Sequence, residues 1–268
     1  MKRLRDLIAI LLAALIILPL LYMVSASFFA RGDFTTSPAR LFPTVFTPSN
    51  YLRAFSASNL GRYLCNSLVT ALLGTALRLS VAMLAAYSLT TFHYKGRELI
   101  FYILAATMLL PGDALLLENF LIVRRMGLSN TYLGLVVTGI LSPAAIFLLR
   151  QYFLTVSPEY REAAYLEGCS DLRFLSTLLA PMSQSVLIAL CVQSFTGFFN
   201  DYLWPLLITT RDSMRTVQVG ITMLGFSETF DLGPQFAAIT ILTLPMVILL
   251  FASRKHITEG ISTRFTGR

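Results

Sequence analysis

The stretch Glu162-Ala163-Ala164-Tyr165-Leu166-Glu167-Gly168-Cys169-Ser170-Asp171 is a polar, small-residue island between two long apolar runs. Its chemistry is that of docking. If a helix opens near Pro158, then Tyr160, Ala163, Ala164 and Glu167 fall at i, i+3, i+4 and i+7, with Gly168 beside them. Small side chains on that face let another surface approach closely. Glu162 and Glu167 offer charges to an Arg or Lys on that surface. The competing reading is a solvated connector made of ordinary helix formers. Catalysis is not expected: the chain has no H-E-x-x-H, no G-x-S-x-G and no paired acidic site. It also lacks G-x-x-x-x-G-K-[ST], so it is not expected to bind nucleotide itself.

Local signals shape this island. Ser157-Pro158-Glu159 reads as a helix start: Ser caps, Pro suits the first helical position, and Glu suits the positive end of the dipole. Gly168 reads as the stop. Ser170-Asp171 reads as the start of a second helix that runs into the next apolar run.

The elements that position the island are membrane spans. Apolar residues make up 56% of the 268 and charged residues 13%, against about 25% charged in soluble domains. Several runs exceed the roughly 18 apolar residues that suggest a spanning helix. Hydropathy and breaker residues give six spans: Leu7–Phe28, Asn66–Phe92, Leu99–Leu117, Thr131–Tyr152, Leu178–Ile208 and Phe236–Ala252. Pro111-Gly112-Asp113 interrupts the third. Residues 1–28 also have signal-peptide features, but Leu7 to Val24 is longer than the usual ~7–15-residue apolar region, so an uncleaved first span is expected. The expected class is an all-α, multi-pass membrane protein with one transmembrane domain over residues 1–268.

The net charge of +7 is spread between apolar runs rather than gathered with aromatics on one patch. That argues against nucleic-acid binding and for membrane orientation. With the N-terminus inside, inner segments carry 12 Lys and Arg and outer segments 8. Both termini and the island, about residues 157–177, then face the cytoplasm. Cys65, Cys169 and Cys191 show no pairing pattern and read as free thiols.

Asn200 and Asp201 lie nineteen and twenty residues beyond Pro181. At about 1.5 Å per residue this is near the far side of a bilayer. They read either as part of a solute pathway or gate, or as an interfacial cap with Tyr202 and Trp204 as an aromatic belt. Gln193, Ser194 and Thr196 lie deeper, and either bond solute hydroxyls or bond across helices. Arg78 sits mid-span, with another subunit, a lipid phosphate or a backbone carbonyl as possible partners. The outer loop Thr209–Pro234 is polar, with Arg211, Asp212, Arg215, Glu228 and Asp231.

The pattern E-A-A-x-x-x-G followed by Pro181 resembles the cytoplasmic coupling loop of ABC importer permeases. From about Asn66 onward the chain is similar to the carbohydrate-uptake, MalG-like group of that family. The resemblance is carried by Asn66-Ser67-Leu68, Thr131-Tyr132-Leu133-Gly134-Leu135, Phe147-Leu148-Leu149-Arg150-Gln151-Tyr152-Phe153 and Asn200-Asp201-Tyr202-Leu203-Trp204-Pro205-Leu206. It departs at Glu167-Gly168-Cys169-Ser170, where the family has Asp-Gly-Ala-Ser, and at Ala180-Pro181, where it has Leu-Pro.

The resemblance implies six spans, a second permease subunit, two cytoplasmic ATPase subunits that bind ATP and Mg, and an extracytoplasmic solute-binding protein, all in a bacterial-type cytoplasmic membrane. It assigns Arg161, Glu162, Ala163, Ala164, Glu167, Gly168 and Asp171 to ATPase docking, with Glu162 pairing to a basic residue there. Gln193, Ser194, Thr196, Asn200, Asp201 and Trp204 become pathway candidates. Arg211, Asp212, Arg215 and Glu228 become contacts to the binding protein. The tail from Lys255 resembles a segment that inserts between the ATPases. The expected solute is a sugar, with glycerol-3-phosphate or a polyol as alternatives. The rival class is a secondary transporter or channel acting without an ATPase, which would show inverted repeats or paired intramembrane charges; neither is evident.

Overall fold

A computed structural model describes residues 2–35, 40–56, 59–224 and 232–262. The described chain is helical, without strands. Its helices are α1 (Lys2–Ala26), α2 (Ser49–Ser56), α3 (Leu60–Thr91), α4 (Arg97–Thr107), α5 (Leu116–Arg125), α6 (Tyr132–Ile140), α7 (Pro143–Phe153), α8 (Pro158–Leu166), α9 (Asp171–Phe174), α10 (Ala180–Met182), α11 (Gln184–Asn200), α12 (Leu203–Ile208), α13 (Val217–Leu224) and α14 (Leu232–Ser262). Leu4–Ala26, Leu60–Thr91 and Leu232–Arg254 are each long and apolar enough to cross a membrane. Two bent pairs reach that standard only with both arms counted.

The chain divides into two compact units, residues 1–66 with 215–247, and residues 67–214 with 248–268. In the first unit, Asn50 of α2 is fully buried and donates to the Ser27 and Phe29 carbonyls at 2.8 and 2.9 Å. That satisfies two carbonyls where the chain leaves α1. Gly233 packs there because an added methyl would lie 2.6 Å from the Asn50 amide. Asp33 closes the following loop: its carboxylate accepts from Thr44 Oγ1 at 2.5 Å and from the Ala30 and Thr44 amides. The Thr44 hydroxyl holds this carboxyl below its ordinary range, helped by those amides and by Arg40 and opposed by burial.

In the second unit, α3, α4, α7, α8, α9 and α11 share a core. It contains Ala82, Ala86, Phe101, Ile146, Leu149, Phe153, Ala164, Phe174 and Leu190. Arg150 of α7 locks α4 in place. Its guanidinium meets Glu98 at 3.1 Å and lies 3.9 Å above the Phe101 ring.

Three of the expected spans are broken, each for a local reason. The expected Leu99–Leu117 contains the end of α4 at Thr107 and a 3-10 turn at Gly112–Leu115, before α5 begins. Within Thr131–Tyr152, α6 and α7 meet at 51°. Ser142 is held extended by the following Pro143 and caps α7, accepting from the Ala145 amide at 3.3 Å. The third break corrects the expectation that the second island helix runs straight into the next span. Asp171–Met182 and Gln184–Asn200 meet at 86°. A π-helical turn at Leu175–Leu179 precedes Pro181, which has no N–H to donate. The buried Ser183 hydroxyl donates back to the Leu179 and Ala180 carbonyls, which fixes the corner.

Candidate functional site

The island folds as a short helix, a glycine turn and a second helix. Ser157 caps α8 by accepting from the Glu159 amide at 3.4 Å, and Pro158 takes the first turn. Gly168 has φ 76°, a left-handed value suited to glycine, and ends the helix. The Cys169 amide reaches back to the Ala164 carbonyl.

The two faces of α8 differ. Ala164 is 7% exposed and belongs to the core, whereas Tyr160, Glu162, Ala163, Leu166 and Glu167 are exposed. Leu166 is 90% exposed, a large apolar side chain held outward beside two carboxylates. The surface that can meet a partner is therefore Tyr160, Glu162, Ala163, Leu166 and Glu167, with Leu172 of α9 also exposed.

Arg161 and Asp171 instead point into a knot that the sequence did not suggest. Asp171 Oδ1 accepts from the Tyr87 and Tyr165 hydroxyls, each at 2.5 Å. Arg161 Nη2 lies 3.6 Å from the same oxygen and donates to the Tyr165 hydroxyl at 3.0 Å. Arg161 Nη1 donates to the carbonyl of Thr91, the last residue of α3, at 3.2 Å, where a cation also suits the helix dipole. The Tyr165 hydroxyl, then Tyr87 and Arg161, hold the Asp171 carboxyl below the usual carboxylate range, against burial. Tyr87, one tyrosine in an apolar run, carries no spacing signal in the sequence.

The pathway candidates separate. A cavity of about 620 Å³ is lined by polar Asn119, Thr138, Asn200, Asp201 and Tyr202, with Trp204 and several apolar residues. Gln193, Ser194 and Thr196 are not among its lining residues; Ser194 is buried. Trp204 is buried and spends its indole N–H on the Gly134 carbonyl at 3.0 Å. Asp201 Oδ1 accepts from the Trp204 amide at 3.4 Å. Arg78 takes a backbone carbonyl: its Nε donates to Gly139 at 2.7 Å, and its guanidinium lies 4.3 Å from the centre of the Phe198 ring.

Of the outer-loop residues, Arg211 donates its amide to Asn130 Oδ1 at 2.8 Å, and Asp212 opens a 3-10 turn. The Arg215 carbonyl accepts from Asn66 at 2.9 Å. Glu228 and Asp231 lie outside the described residues. In the tail, α14 continues to Ser262; residues 263–268 lie outside the described residues.

Residues 79–263 match the model of a family described as "Binding-protein-dependent transport system inner membrane component". The chain belongs to that family. Members are transmembrane subunits, not catalytic ones, and sit in the inner membrane. The chain is 31% identical over 259 residues to the trehalose/maltose transport system permease protein MalG of Thermococcus litoralis, covering 95% of this chain and 92% of that protein. It is 27% identical over 257 residues to the diacetylchitobiose uptake system permease protein NgcG of Streptomyces coelicolor, covering 94% and 85%. It is 35% identical over 197 residues to the sn-glycerol-3-phosphate transport system permease protein UgpE of Yersinia pestis, covering 72% and 70%. A chain in the crystal structure of a bacterial ABC transporter that imports alginate shares the fold, with TM-score 0.86 and 20% identity over 95% of both chains.

Proposed function

We propose that this importer permease moves a sugar or related small polar solute by alternating access, as one half of a permease heterodimer. Two ATPase subunits carry ATP and Mg, and an extracytoplasmic binding protein delivers the solute. In this reading six spans put both termini and the coupling loop inside, with the bent pair α6–α7 contributing one, α10–α11 another and α4–α5 the third. The observation that carries the reading is the outer face of α8, where exposed Leu166 stands among Tyr160, Glu162 and Ala163. Tyr160, Leu166 and Leu172 together expose apolar surface in this loop beside Glu162 and Glu167, and an apolar patch rimmed by charge suits an interface. ATP binding favours one arrangement of the ATPases, and this face passes that preference to the spans.

The cavity at Asn200 and Asp201 supplies the solute pathway. Amide, hydroxyl and carboxylate groups beside apolar walls suit the alternating polar and apolar faces of a sugar. A phosphorylated solute is the second reading, favoured by the 35% identity to the glycerol-3-phosphate relative. Against it, the described lining residues include Asp201 but no Lys, Arg or His.

The test is ATP hydrolysis by the purified complex carrying Glu162→Ala, with and without binding protein and solute. The expected result is intact assembly with loss of the solute-stimulated part of hydrolysis. Unchanged stimulation would contradict a coupling role for this loop.

A further inference from the structure

We propose that α3 is the rod that carries movement of the coupling loop to the solute groove, gripped at its inner end by the Tyr87–Asp171 knot and farther along by Arg78 and Phe198. The proposal rests on the importer reading above and names the residues through which the coupling passes.

The inner grip joins three segments. Tyr87 is in the last turns of α3, Tyr165 and Arg161 are on α8, and Asp171 opens α9. One carboxylate oxygen accepts from both tyrosines, and Arg161 holds the final carbonyl of α3. Around this, Tyr87 packs edge-on to Phe92 and against Phe174, with ring centres at 5.7 and 6.4 Å. Charged and short hydrogen bonds of this kind are the stronger ones. The coupling helix cannot shift without pulling α3 or breaking them.

The second grip lies nine to thirteen residues earlier in the helix, at Arg78 and Gly74, about 14–20 Å along its axis at ~1.5 Å per residue. Gly74 and Arg78 are one turn apart on α3 and make a slot for the Phe198 ring. A methyl added at Gly74 would lie 2.6 Å from that ring, and one at Gly139 would lie 2.8 Å from it. Phe198 is thus clamped between α3 and α6. The Gly139 carbonyl would ordinarily receive the N–H four residues on, but that residue is Pro143, which has none. Arg78 Nε supplies the missing donor. This matters inside a span, where a carbonyl freed at a helix break must find a side chain or the water of a cavity.

Both walls of the groove hang from this second grip. Gly139, with Thr138, Leu141 and Pro143, lines one side. Asn200 and Asp201, two and three residues beyond Phe198, line another. Close-packed contacts transmit strain rather than absorb it, so a displaced α3 must move both walls or lose its grip on them. The two grips act in series. Breaking either should abolish transmission, and breaking both should add nothing.

The experiment uses the complete complex in lipid nanodiscs, with Cys65, Cys169 and Cys191 replaced by Ser or Ala and Thr138→Cys as a reporter in the groove. The rate of labelling by a membrane-impermeant maleimide is compared without nucleotide and with Mg-ATP plus vanadate. The parent should respond at least about fivefold, within the usual span of allosteric coupling. The pair Tyr87→Phe with Tyr165→Phe removes only hydroxyls, and Arg78→Leu removes the second grip. Each should cut the response below about twofold, and all three changes together should do no more, which is the non-additivity of one path. ATPase co-purification and basal hydrolysis should stay within about twofold of the parent. Arg78→Gln keeps an amide donor but loses the guanidinium plane; it should give an intermediate response and serves if the Leu variant fails to assemble. A full response in either grip variant, or additive losses, would overturn the proposal alone. A parent complex without ATPase, or without any nucleotide response, would overturn the importer reading and the proposal with it.

Discussion

Ala163 and Ala164 are adjacent and chemically identical, yet one is exposed and the other is buried in the core of the second unit. Successive residues differ by about 100° around a helix, so the shared small-residue face read from spacing divides in space. Which alanine turns inward is set by the core that other helices of the second unit build, which no local pattern reports. Ala164→Leu should overpack the core at about 1–3 kcal/mol, seen as a lower thermal unfolding temperature. Ala163→Leu should leave unfolding within about 0.5 kcal/mol and reduce ATPase co-purification instead. Gly168 as the end of α8 was legible from residue type and position. The contacts of Arg161 and Asp171 were not, because Tyr87, which bonds Asp171, lies 84 residues away. Since the folded Asp171 carboxyl is lowered, its contribution is fully present above the unfolded value of about 3.9. It is lost as pH falls through the lower folded value. Protease nicking at the loop should therefore be flat with pH from neutral down to about 5 and rise only in stronger acid. A rise near neutrality would contradict the knot.

At the scale of elements, start and stop signals were the most legible. Ser157-Pro158 and Gly168 bound α8 as their chemistry requires. The breaks were legible as breaker residues but not as angles. Pro143 and Pro181 each remove a donor, while the 51° and 86° turns depend on what packs inside each corner. Ser183 decides one corner by bonding two carbonyls, and a serine two residues after a proline carries no such message in sequence. The α3–α6–α11 contact likewise lies beyond any local pattern, since Gly74, Gly139 and Phe198 are far apart in the chain. Gly74→Ala places a methyl against the Phe198 ring and should destabilise the complex by about 1–3 kcal/mol. Phe198→Ala, which opens that space, should partly restore Gly74→Ala in a double-mutant cycle of thermal stability. Additive effects would place the two residues out of contact.

At the scale of the whole molecule, a membrane protein rather than a soluble one was legible from apolar run length alone, because lipid tolerates no exposed backbone. The permease class followed from one polar island in register with several motifs, and the family match over residues 79–263 establishes it. Solute identity was not legible. The relatives are named for neutral sugars and for a phosphate ester, and the residues that would choose between them are spread over three separate stretches of chain, Thr107 to Asn119, Thr138 to Pro143 and Asn200 to Trp204. The most direct test of energy coupling uses proteoliposomes holding this chain and its partner permease, with or without the ATPase pair, supplied with the binding protein. Uptake of labelled maltose, trehalose, diacetylchitobiose and glycerol-3-phosphate is followed with ATP on the ATPase side. The account predicts uptake of at least one sugar that requires both the ATPase pair and ATP. Equal uptake without the ATPases, driven by an ion gradient, would contradict it.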